Sequence, residues 1–329
     1  MRIAIDAMGG DHAPVETVRG AIASLKEMDA SLLLIGDQEA IESELKKYDY
    51  DTSRVEVLHT TEVITGEDKP VKAIKRKKDS SMVVGLSLLR KKEIDGFLSA
   101  GNTGALLAGG LLKVGRIPGV DRPALASVYP TEKKISLLVD AGANAECKPR
   151  NLKEFGIMGS IYATFAFDVP EPKVGLVNIG HEEGKGNSLV IDAYDLLKES
   201  DLNFIGNLEA REIPYGSADV IVCDGFTGNV ILKLSEGLAK SFGSRIKNIL
   251  TANPIRLIAG AIVKKGMDDF KKSMDYREYG GAPLLGVRGL VVKAHGSSDA
   301  KAISSAIRYA HICATSNVVD RIAEAIQEE

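Results

Sequence analysis

The sequence contains no tryptophan, and aromatic residues make up only 5% of its 329 residues. A surface that stacks on nucleobases needs aromatic side chains, so nucleic-acid binding is disfavoured and no nucleic-acid partner is expected. The formal charge of −3 at pH 7 is also close to neutral. Any recognition by charge must therefore come from local patches of the surface.

Cysteine is scarce as well. Cys147, Cys223 and Cys313 are widely spaced and form no CxxC or Cys/His pattern, and the five histidines show no two-histidine helical spacing. We therefore expect no metal. The sequence shows no signal-peptide pattern, and it contains no apolar run of about 18 residues that would indicate a membrane-spanning helix. Together these absences predict a protein of the reducing cytoplasm.

Short apolar runs alternate with helix-like segments along almost the whole chain. Such runs are typical of strands covered on both faces, and the alternation predicts a doubly wound, mostly parallel α/β sheet. Residues 1–329 are interpreted as a single α/β domain with a helical protrusion at about 227–279. Strands are predicted at residues 2–6, 31–36, 54–59, 96–100, 135–140, 173–180, 203–206, 219–225 and 290–296. Helices are predicted at residues 14–27, 37–47, 80–92, 103–113, 151–165, 187–199, 227–250 and 299–326.

Glycine-rich loops follow five of the predicted strands. Because the carboxyl ends of parallel strands meet at one edge of a sheet, we expect these loops to converge on one crevice. Glycine lets the main chain approach a ligand, and the N–H groups at the start of a helix attract anions. The alternative is that Gly and Asn only make turns, but the repetition favours a site for a small oxyanion such as phosphate. The loops are SAGNTG (99–104), DAGAN (140–144), HEEGKGN (181–187), DGFTGN (224–229) and AHGSSD (294–299).

Familiar nucleotide and nucleophile motifs are not matched. GHEEGKGN at 180–187 is one residue short of a Walker A loop and has no Ser or Thr after Lys185 to bind Mg²⁺. GKGNSL at 184–189 begins like GxGxxG, but Leu189 stands where the third glycine belongs. ATP hydrolysis is therefore rejected and nucleotide redox chemistry is disfavoured. There is no GxSxG elbow, and the position of Cys223 in an apolar strand predicts a buried, inert thiol.

Three other features remain as candidates. Lys185, in the flexible GKG loop, would be a poor structural residue but a useful mobile cation, so we favour a function for it. His295, at a strand end before a glycine, is about equally well explained as structural or catalytic. The side chains of DAMGGDHAP at 6–14 include potential cation ligands, but a turn with a capping aspartate explains them more simply.

Seven segments resemble the PlsX family, the phosphate acyltransferases of bacterial phospholipid synthesis. They extend from the first predicted strand to the last predicted helix: AIDAMGGDHAP (4–14), SAGNTGA (99–105), GRIPGVDRPALA (115–126), DAGAN (140–144), DGFTGN (224–229), YGGAPLLG (279–286) and KAHGSSD (293–299). The resemblance implies a homodimer with a three-layer α/β/α fold similar to phosphotransacetylases and isopropylmalate dehydrogenases. It also implies fatty acyl transfer from acyl-[acyl-carrier protein] to inorganic phosphate, without cofactor or metal. The acyl phosphate would then pass to a membrane glycerol-3-phosphate acyltransferase.

Such a reaction needs no enzyme nucleophile, because phosphate itself can attack the thioester. The leaving thiol resembles cysteine, with a pKa of roughly 8.5, so it departs with little help from an acid. The protein has to hold phosphate, align it and stabilise the oxyanion. We expect catalytic roles for Lys185, Asn229 and, in proton handling, His295. Phosphate or substrate contacts are expected from Asn102, Thr103, Gly104, Asn144, Gly186, Asn187, Asp224 and Gly228.

Two segments are candidate interaction surfaces. The run KPVKAIKRKKDSS at 69–81 is either an ordinary solvated helix face or a patch that steers an acidic carrier protein. Its proposed docking residues are Lys75, Arg76, Lys77 and Lys78. The segment at 253–272 is predicted to form an amphipathic helix, which is either a core or dimer-interface helix or rests on an anionic membrane surface. Its proposed membrane contacts are Leu257, Ile258 and Ile262.

Two other functions stay open at this point. A dehydrogenase dependent on NAD(P) could use the related fold, although neither a clear nicotinamide site nor a clear set of metal-binding aspartates is found. A module that binds phosphate and acyl carrier without catalysis would show the same loops. The expected protein is cytoplasmic and associates peripherally with the membrane.

Overall fold

The structure is a computed structural model that describes residues 1–133, 135–273 and 280–328. Within these ranges eleven strands form one sheet, in the spatial order β3-β2-β1-β4-β11-β10-β5-β6-β9-β7-β8. Most of the strands are apolar and buried. Their bounds are β1 Arg2–Asp6, β2 Ser31–Gly36, β3 Val55–His59, β4 Gly96–Ser99, β5 Ala124–Pro130, β6 Ile135–Val139, β7 Val174–Asn178, β8 Phe204–Glu209, β9 Val220–Val222, β10 Gly281–Leu285 and β11 Leu290–Ala294.

Eleven α-helices lie in the same described ranges. Several begin at a residue whose side chain caps the helix, such as Asp37, Ser80 and Asn187. Their bounds are α1 Val15–Ser24, α2 Gln38–Leu45, α3 Pro70–Arg76, α4 Ser81–Arg90, α5 Thr103–Gly109, α6 Pro149–Phe167, α7 Ser188–Lys198, α8 Gly225–Thr251, α9 Pro254–Ser273, α10 Ala300–Thr315 and α11 Val318–Glu328.

The two halves of the sheet run in opposite directions. Strands β1 to β4 and β11 are parallel to one another, and so are β6 to β9. Between them, β10 is antiparallel to both β11 and β5, and β5 is antiparallel to β6. The predicted mostly parallel α/β fold is confirmed. The expectation that all the loops share one edge is wrong, because the direction reverses at β10 and β5.

The strand ends of the two halves nevertheless lie at a similar level of the sheet. Leu98 of β4 is in register with Val292 of β11, which faces Pro283 of β10. On the other side of β10, Ala126 of β5 faces Val139 of β6. The loops after β1, β4 and β11 form what we name the first loop group. The loops after β6, β7 and β9 form the second loop group.

Several elements differ from the sequence predictions. β5 and β10 were not expected, and β10 contains a glycine and a proline, which disfavour strands. α3 lies in the basic run, where Pro70 occupies the first turn and was a usable start signal. The helix predicted at 299–326 is two helices, because Asn317 adopts a left-handed conformation between α10 and α11.

The hydrophobic core lies on both faces of the sheet and contains Phe97, Phe155 and Tyr162, all fully buried. α8 and α9 differ from the other helices. Gly225 and Gly228 are the buried residues described for α8, and most side chains from 237 to 268 are exposed. The protrusion predicted at about 227–279 includes residues 274–279, which lie outside the described residues, so its extent stays a prediction.

Candidate active site

Asp140, directly after β6, organises the DAGAN loop. Burial raises the pKa of this carboxyl, while the groups that bond to it oppose the rise. The carboxylate accepts from the side-chain amide of Asn144 and from the backbone N–H groups of Leu125, Gly142, Ala143 and Asn144. These N–H groups are therefore already hydrogen-bonded within the protein and are not available to a ligand. Asn144 also donates to the carbonyl oxygen of Pro123, so its side chain holds the loop in place.

α8 begins against this loop. Its capping residue, Asp224, accepts from both the N–H and the hydroxyl of Thr227, at 2.9 and 2.7 Å. A Cβ on Gly228 would lie 1.9 Å from the carbonyl oxygen of Asp140, so glycine is needed for close packing. Asp224 therefore caps the helix and Gly228 permits close packing, and both of these roles are structural. A carboxylate cap also makes this helix start a poor anion site.

Asn229 lies one residue further along α8, beside the DAGAN loop. Its side-chain atoms are 3.5 to 3.7 Å from where a Cβ on Gly142 would be. Among the described residues, no group forms a hydrogen bond with its side-chain amide. Asn229 is exposed, so this amide can serve a ligand.

The polar face of α8 leads from Asn229 to the first loop group. Lys233, Glu236 and Lys240 follow Asn229 at helical spacing on the same face. The charges of all three act on His295, after β11. α8 therefore connects the second loop group to the first.

The first loop group is built around Asp6, at the end of β1. Its buried carboxylate accepts from the hydroxyls of Ser81 and Ser99, at 2.6 and 2.7 Å, and burial raises its pKa. A Cβ on Gly9 would lie 2.6 Å from this carboxylate and 2.8 Å from the backbone nitrogen of Gly101. The loops after β1 and β4 are thus in close contact, which glycine permits.

The end of β11 contributes His295 and Lys293. The imidazole of His295 is within 2.9 Å of the hydroxyl of Ser297, and its pKa is lowered by desolvation and then by the charge of Lys233. Lys293 is only 9% exposed, and burial lowers its pKa to about 8. Lys293 was missed as a candidate. The sequence did contain an indication of this residue, because LVVKA places a lysine in an otherwise apolar strand and lysine is seldom fully buried unless it is paired.

The start of α5 carries the SAGNTG loop. Asn102 caps the helix by accepting from the N–H of Ala105, and its amide donates to the carbonyl oxygens of Thr65, Gly66 and Asp68. Asn102 therefore holds the loop before α3. Thr103 is exposed and Gly104 half-buried, and their position in the first turn leaves their N–H groups without helical partners.

The HEEGKGN loop lies at the edge of the second loop group. Lys185 is half-exposed and pairs with Glu182 at 3.7 Å; among the described residues it makes no ion pair with α8. Gly186 has a φ of +97°, and Asn187 caps α7 by accepting from the N–H of Val190. The structure does not bring Lys185 into contact with Asn229 or His295.

The helix starts differ in the charge of their caps. α5 and α7 have neutral caps, Asn102 and Asn187, whereas α8 is capped by Asp224. At the start of α10, Asp299 caps the helix and Glu16 accepts from the N–H of Ala300 at 2.6 Å. A phosphate would meet a carboxylate at α8 and α10, so α5 and α7 are the better anion sites.

The cysteine thiols are poorly suited to nucleophilic attack. Burial raises the pKa of Cys147 to about 11 and that of Cys313 to about 12. Cys223 is fully buried, and its pKa is also raised well above the usual value. A thiolate is the reactive form of cysteine, and it is disfavoured at all three positions.

Neither a metal centre nor a membrane span is found in the part of the chain that the structure describes. There, no three or more His, Cys, Asp or Glu side chains are grouped so as to hold a metal ion. Nor does any described helix combine the length and apolar character needed to cross a bilayer.

Comparisons with known proteins show the family of this chain. Residues 1–321 match the family described as "Fatty acid synthesis protein". The phosphate acyltransferase of Alkaliphilus oremlandii is 61% identical over 326 residues, covering 99% of this chain and 97% of that protein. The phosphate acyltransferase of Clostridioides difficile is 51% identical over 329 residues, covering 100% and 97%.

Solved structures of lower identity share the fold. A phosphotransacetylase from Streptococcus pyogenes superposes with a TM-score of 0.64 at 17% identity, covering 96% of this chain and 94% of that one. A putative 4-hydroxythreonine-4-phosphate dehydrogenase from Salmonella typhimurium gives a TM-score of 0.51 at 11% identity, covering 94% and 98%. The close relatives confirm the predicted acyltransferase. The chain belongs to the PlsX family of phosphate acyltransferases, enzymes that transfer an acyl group to phosphate in fatty acid and phospholipid synthesis.

Proposed function

We propose that this enzyme transfers a fatty acyl group from acyl-[acyl-carrier protein] to inorganic phosphate, by direct attack of phosphate on the thioester. The observation that carries the proposal is the polar face of α8. It presents the amide of Asn229 beside Gly142, and the charge of Lys233, which pairs with Glu236 at 2.9 Å, acts on His295. Neutral donors and cations suit a substrate anion, and the raised thiol pKa values argue against an acyl-cysteine intermediate.

The bonds balance without an enzyme nucleophile. A phosphate oxygen forms a bond to the acyl carbon, and the carbon–sulfur bond breaks. The proton of hydrogen phosphate passes to the departing thiolate, so the products are acyl phosphate and free carrier protein. The desolvation and positive charge that lower the pKa of His295 leave its imidazole neutral near pH 7, a form that can relay this proton.

A trapping experiment tests this function. The enzyme is mixed with acyl-[acyl-carrier protein] and phosphate, and hydroxylamine then converts acyl phosphate to a hydroxamate. We expect hydroxamate that depends on both enzyme and phosphate, and a reaction without phosphate is the control for attack on the thioester. A protein that binds both ligands but forms no phosphate-dependent hydroxamate would be a binding module instead.

Within this proposal each candidate residue is given a role according to whether its polar groups are available to a ligand or already hydrogen-bonded within the protein. Asn229 contacts phosphate or the oxyanion, and the N–H groups of Thr103 and Gly104 contribute donors. Lys185, on a glycine-flanked loop, moves in to neutralise developing charge. The remaining candidates hold the loops in place: Asn102, Asn144, Gly186, Asn187, Asp224 and Gly228.

The basic run is proposed as the docking surface for the acidic carrier protein. Lys69, Lys72, Lys75 and Arg76 line one surface depression with Pro70 and Val71. Pro70 packs on Gly104, so this surface adjoins the start of α5. Lys77 is instead engaged with Asp68 at 2.6 Å, so docking falls to Lys75, Arg76 and Lys78.

Salt-dependent kinetics test the docking surface. Reversing Lys75, Arg76 and Lys78 to Glu should weaken use of the carrier several-fold at low salt, and less at high salt, because surface charge acts chiefly on association. Reversing Lys26 and Lys46, which are exposed near the ends of α1 and α2 and form no ion pair among the described residues, gives the control. An unchanged KM for the carrier in the first variant would exclude this surface.

The homodimer is proposed to form along α8. Apolar side chains recur there at every fourth residue and are 45% to 67% exposed: Phe226, Val230, Leu234, Leu238 and Phe242. A stripe of this length on a soluble surface is typical of an interface. Leu234→Glu should give monomers in sedimentation, whereas Lys247→Glu on the same helix should not. A dimeric Leu234→Glu variant would place the interface elsewhere.

α9 is proposed to contact the membrane. Ile255 and Ile262 are 80% and 79% exposed, and Leu257 and Ile258 are more than half exposed. The basic Arg256, Lys264 and Lys265 flank this face, so anionic lipids would attract it. Leu257→Glu or Ile258→Glu should reduce co-sedimentation with anionic vesicles while activity persists. Undiminished binding by an active, dimeric variant would exclude α9.

Peripheral attachment would suit the expected fate of the product. Acyl phosphate with a long chain is consumed, in this proposal, by a membrane glycerol-3-phosphate acyltransferase. The enzyme would then be cytoplasmic and reversibly bound to the membrane surface.

A further inference from the structure

Lys293 lies in a row of polar side chains that crosses three neighbouring strands. It is in register with Ser99 of β4, and the hydroxyl of Ser99 donates to Asp6 at the end of β1. Residues in register on parallel strands project from the same face of the sheet. Asp6, Ser99 and Lys293 therefore share one face, at the end of the strands where the first loop group begins.

The ammonium group of Lys293 is buried but poorly partnered. It donates to the carbonyl oxygen of its neighbour, Ala294, and forms no ion pair with a carboxylate among the described residues. The oxygens of Asp6 are already bonded to the hydroxyls of Ser81 and Ser99. Burying an ammonium without a direct ion pair is costly, so such a group is normally kept for a function.

The neighbours of Lys293 are a small residue and several charged groups. On β10 its register partner is Ala282, a small residue that is only half-buried. From α8, the charge of Lys233, which pairs with Glu236 at 2.9 Å, also acts on Lys293. Asp6 and Asp11 also act on Lys293, and their attraction helps to keep it protonated. Neither Lys293 nor Lys233 is among the residues that the sequence predicted for the site.

We propose that Lys293 binds the inorganic phosphate that attacks the thioester. This inference rests on the proposed function and adds a cation from the first loop group to Asn229 and Lys233 on α8. In the transfer step a phosphate oxygen bonds to the acyl carbon and the carbon–sulfur bond breaks. Lys293 keeps its proton throughout, while the proton of hydrogen phosphate goes to the thiolate sulfur.

Binding of inorganic phosphate without an acyl donor gives the direct test. By calorimetry we expect Lys293→Met to bind phosphate at least about tenfold more weakly than wild type. Lys293→Arg should retain part of the affinity, because it keeps the charge. Lys26→Met, at the exposed far end of α1, is the matched control and should bind like wild type. Wild-type affinity in a folded Lys293→Met variant would overturn the proposal.

Kinetics then distinguish inorganic phosphate from the phosphodiester of the carrier's prosthetic arm. We expect the KM for phosphate to rise about tenfold in Lys293→Met, with the KM for acyl carrier within about twofold of wild type. A rise in the KM for carrier alone would contradict the proposal. If Lys293→Met does not fold, Lys293→Gln keeps a donor for Ala294 and is measured in the same way.

The two levels of the proposal can fail separately. Calorimetry needs no turnover, so phosphate binding through Lys293 can be observed even if no acyl phosphate forms. That result would remove the proposed function and leave the phosphate site. If hydroxamate formation depends on phosphate but Lys293→Met binds phosphate with wild-type affinity, the proposed function would stand and the phosphate site at Lys293 would be removed.

Discussion

Two buried aspartates occupy matching places in the two halves of the sheet. Asp6 follows β1 in DAMGG, and Asp140 follows β6 in DAGAN, so the local sequences look alike. Asp140 takes its hydrogen bonds from the N–H groups of its own loop. Asp6 takes two of its bonds from serine hydroxyls on α4 and β4. In similar glycine-rich loops the backbone N–H groups can thus be bonded to the aspartate or remain available to a ligand. Which of the two occurs depends on which donors bond to the carboxylate of the aspartate.

The surroundings of Asp6 and Asp140 also differ in charge. Near Asp140, α8 begins with the carboxylate of Asp224, which disfavours an anion at the helix start. Near Asp6, by contrast, the buried ammonium of Lys293 adds a positive charge. We infer that the second loop group contributes Asn229 on a rigid frame, while the first supplies the buried positive charge.

The largest expected effect comes from filling the contact between α8 and Asp140. Gly228→Ala would place a Cβ 1.9 Å from the carbonyl oxygen of Asp140, so we expect a loss of at least about 3 kcal/mol of stability. Gly237→Ala, in the same helix, has no atom within 4 Å of the new Cβ and should stabilise by up to about 1 kcal/mol. Denaturant unfolding measures both. Equal stabilities for the two variants would contradict the described packing.

The two aspartates should respond differently to the same substitution. Asp140→Asn turns an amide NH₂ towards N–H donors and should cost about 2 kcal/mol, the scale of a buried unsatisfied donor. Asp6→Asn should cost less than about 1 kcal/mol, because the Ser81 and Ser99 hydroxyls can rotate and accept. Thermal unfolding of the pair is the measurement. A larger loss for Asp6→Asn would reverse the comparison.

Lys293 should make stability depend on pH. Its pKa in the folded state is about 8, against 10.5 as its ordinary value, so the unfolded chain binds more protons between these values. Stability should therefore rise by about 2 kcal/mol from pH 8 to 9.5 through this group. Lys293→Met should lack this rise. Parallel pH profiles for the two proteins would show that Lys293 is not a buried cation.

Substitution of Lys185 tests whether this residue acts as a mobile cation in catalysis or contributes to stability. Lys185→Ala should leave the melting temperature unchanged, because its exposed ion pair with Glu182 contributes little, and should lower kcat about tenfold. Asn229→Ala should mainly raise the KM for phosphate. Steady-state kinetics with varied phosphate measure both. Full activity in Lys185→Ala would remove this loop from the mechanism.

Much of the fold could be predicted from the sequence, because buried parallel strands are continuous apolar runs. Each predicted strand overlaps a strand of the structure. The reversal at β5 and β10 could not be predicted, since strand direction depends on pairing between distant segments. β10, GAPLL, also has the composition of a turn at its start.

The candidate site could be predicted only in part. The loops do lie at strand ends, and Asn229 does present its amide beside Gly142. Local sequence could not reveal that Asn102 and Asn144 have their amides engaged by distant carbonyl oxygens. Nor could it reveal that the charges of Lys233 and Lys293 act on each other, because one lies on α8 and the other on β11.

The central claim is that phosphate attacks the carrier thioester without an acyl-enzyme. Its most direct test is the intact mass of the enzyme after mixing with acyl-[acyl-carrier protein] in the absence of phosphate, followed by addition of phosphate. The account predicts an unchanged enzyme mass at every time and acyl phosphate only after phosphate is added. An enzyme whose mass increases by one acyl group, and returns to its original value when phosphate is added, would contradict it.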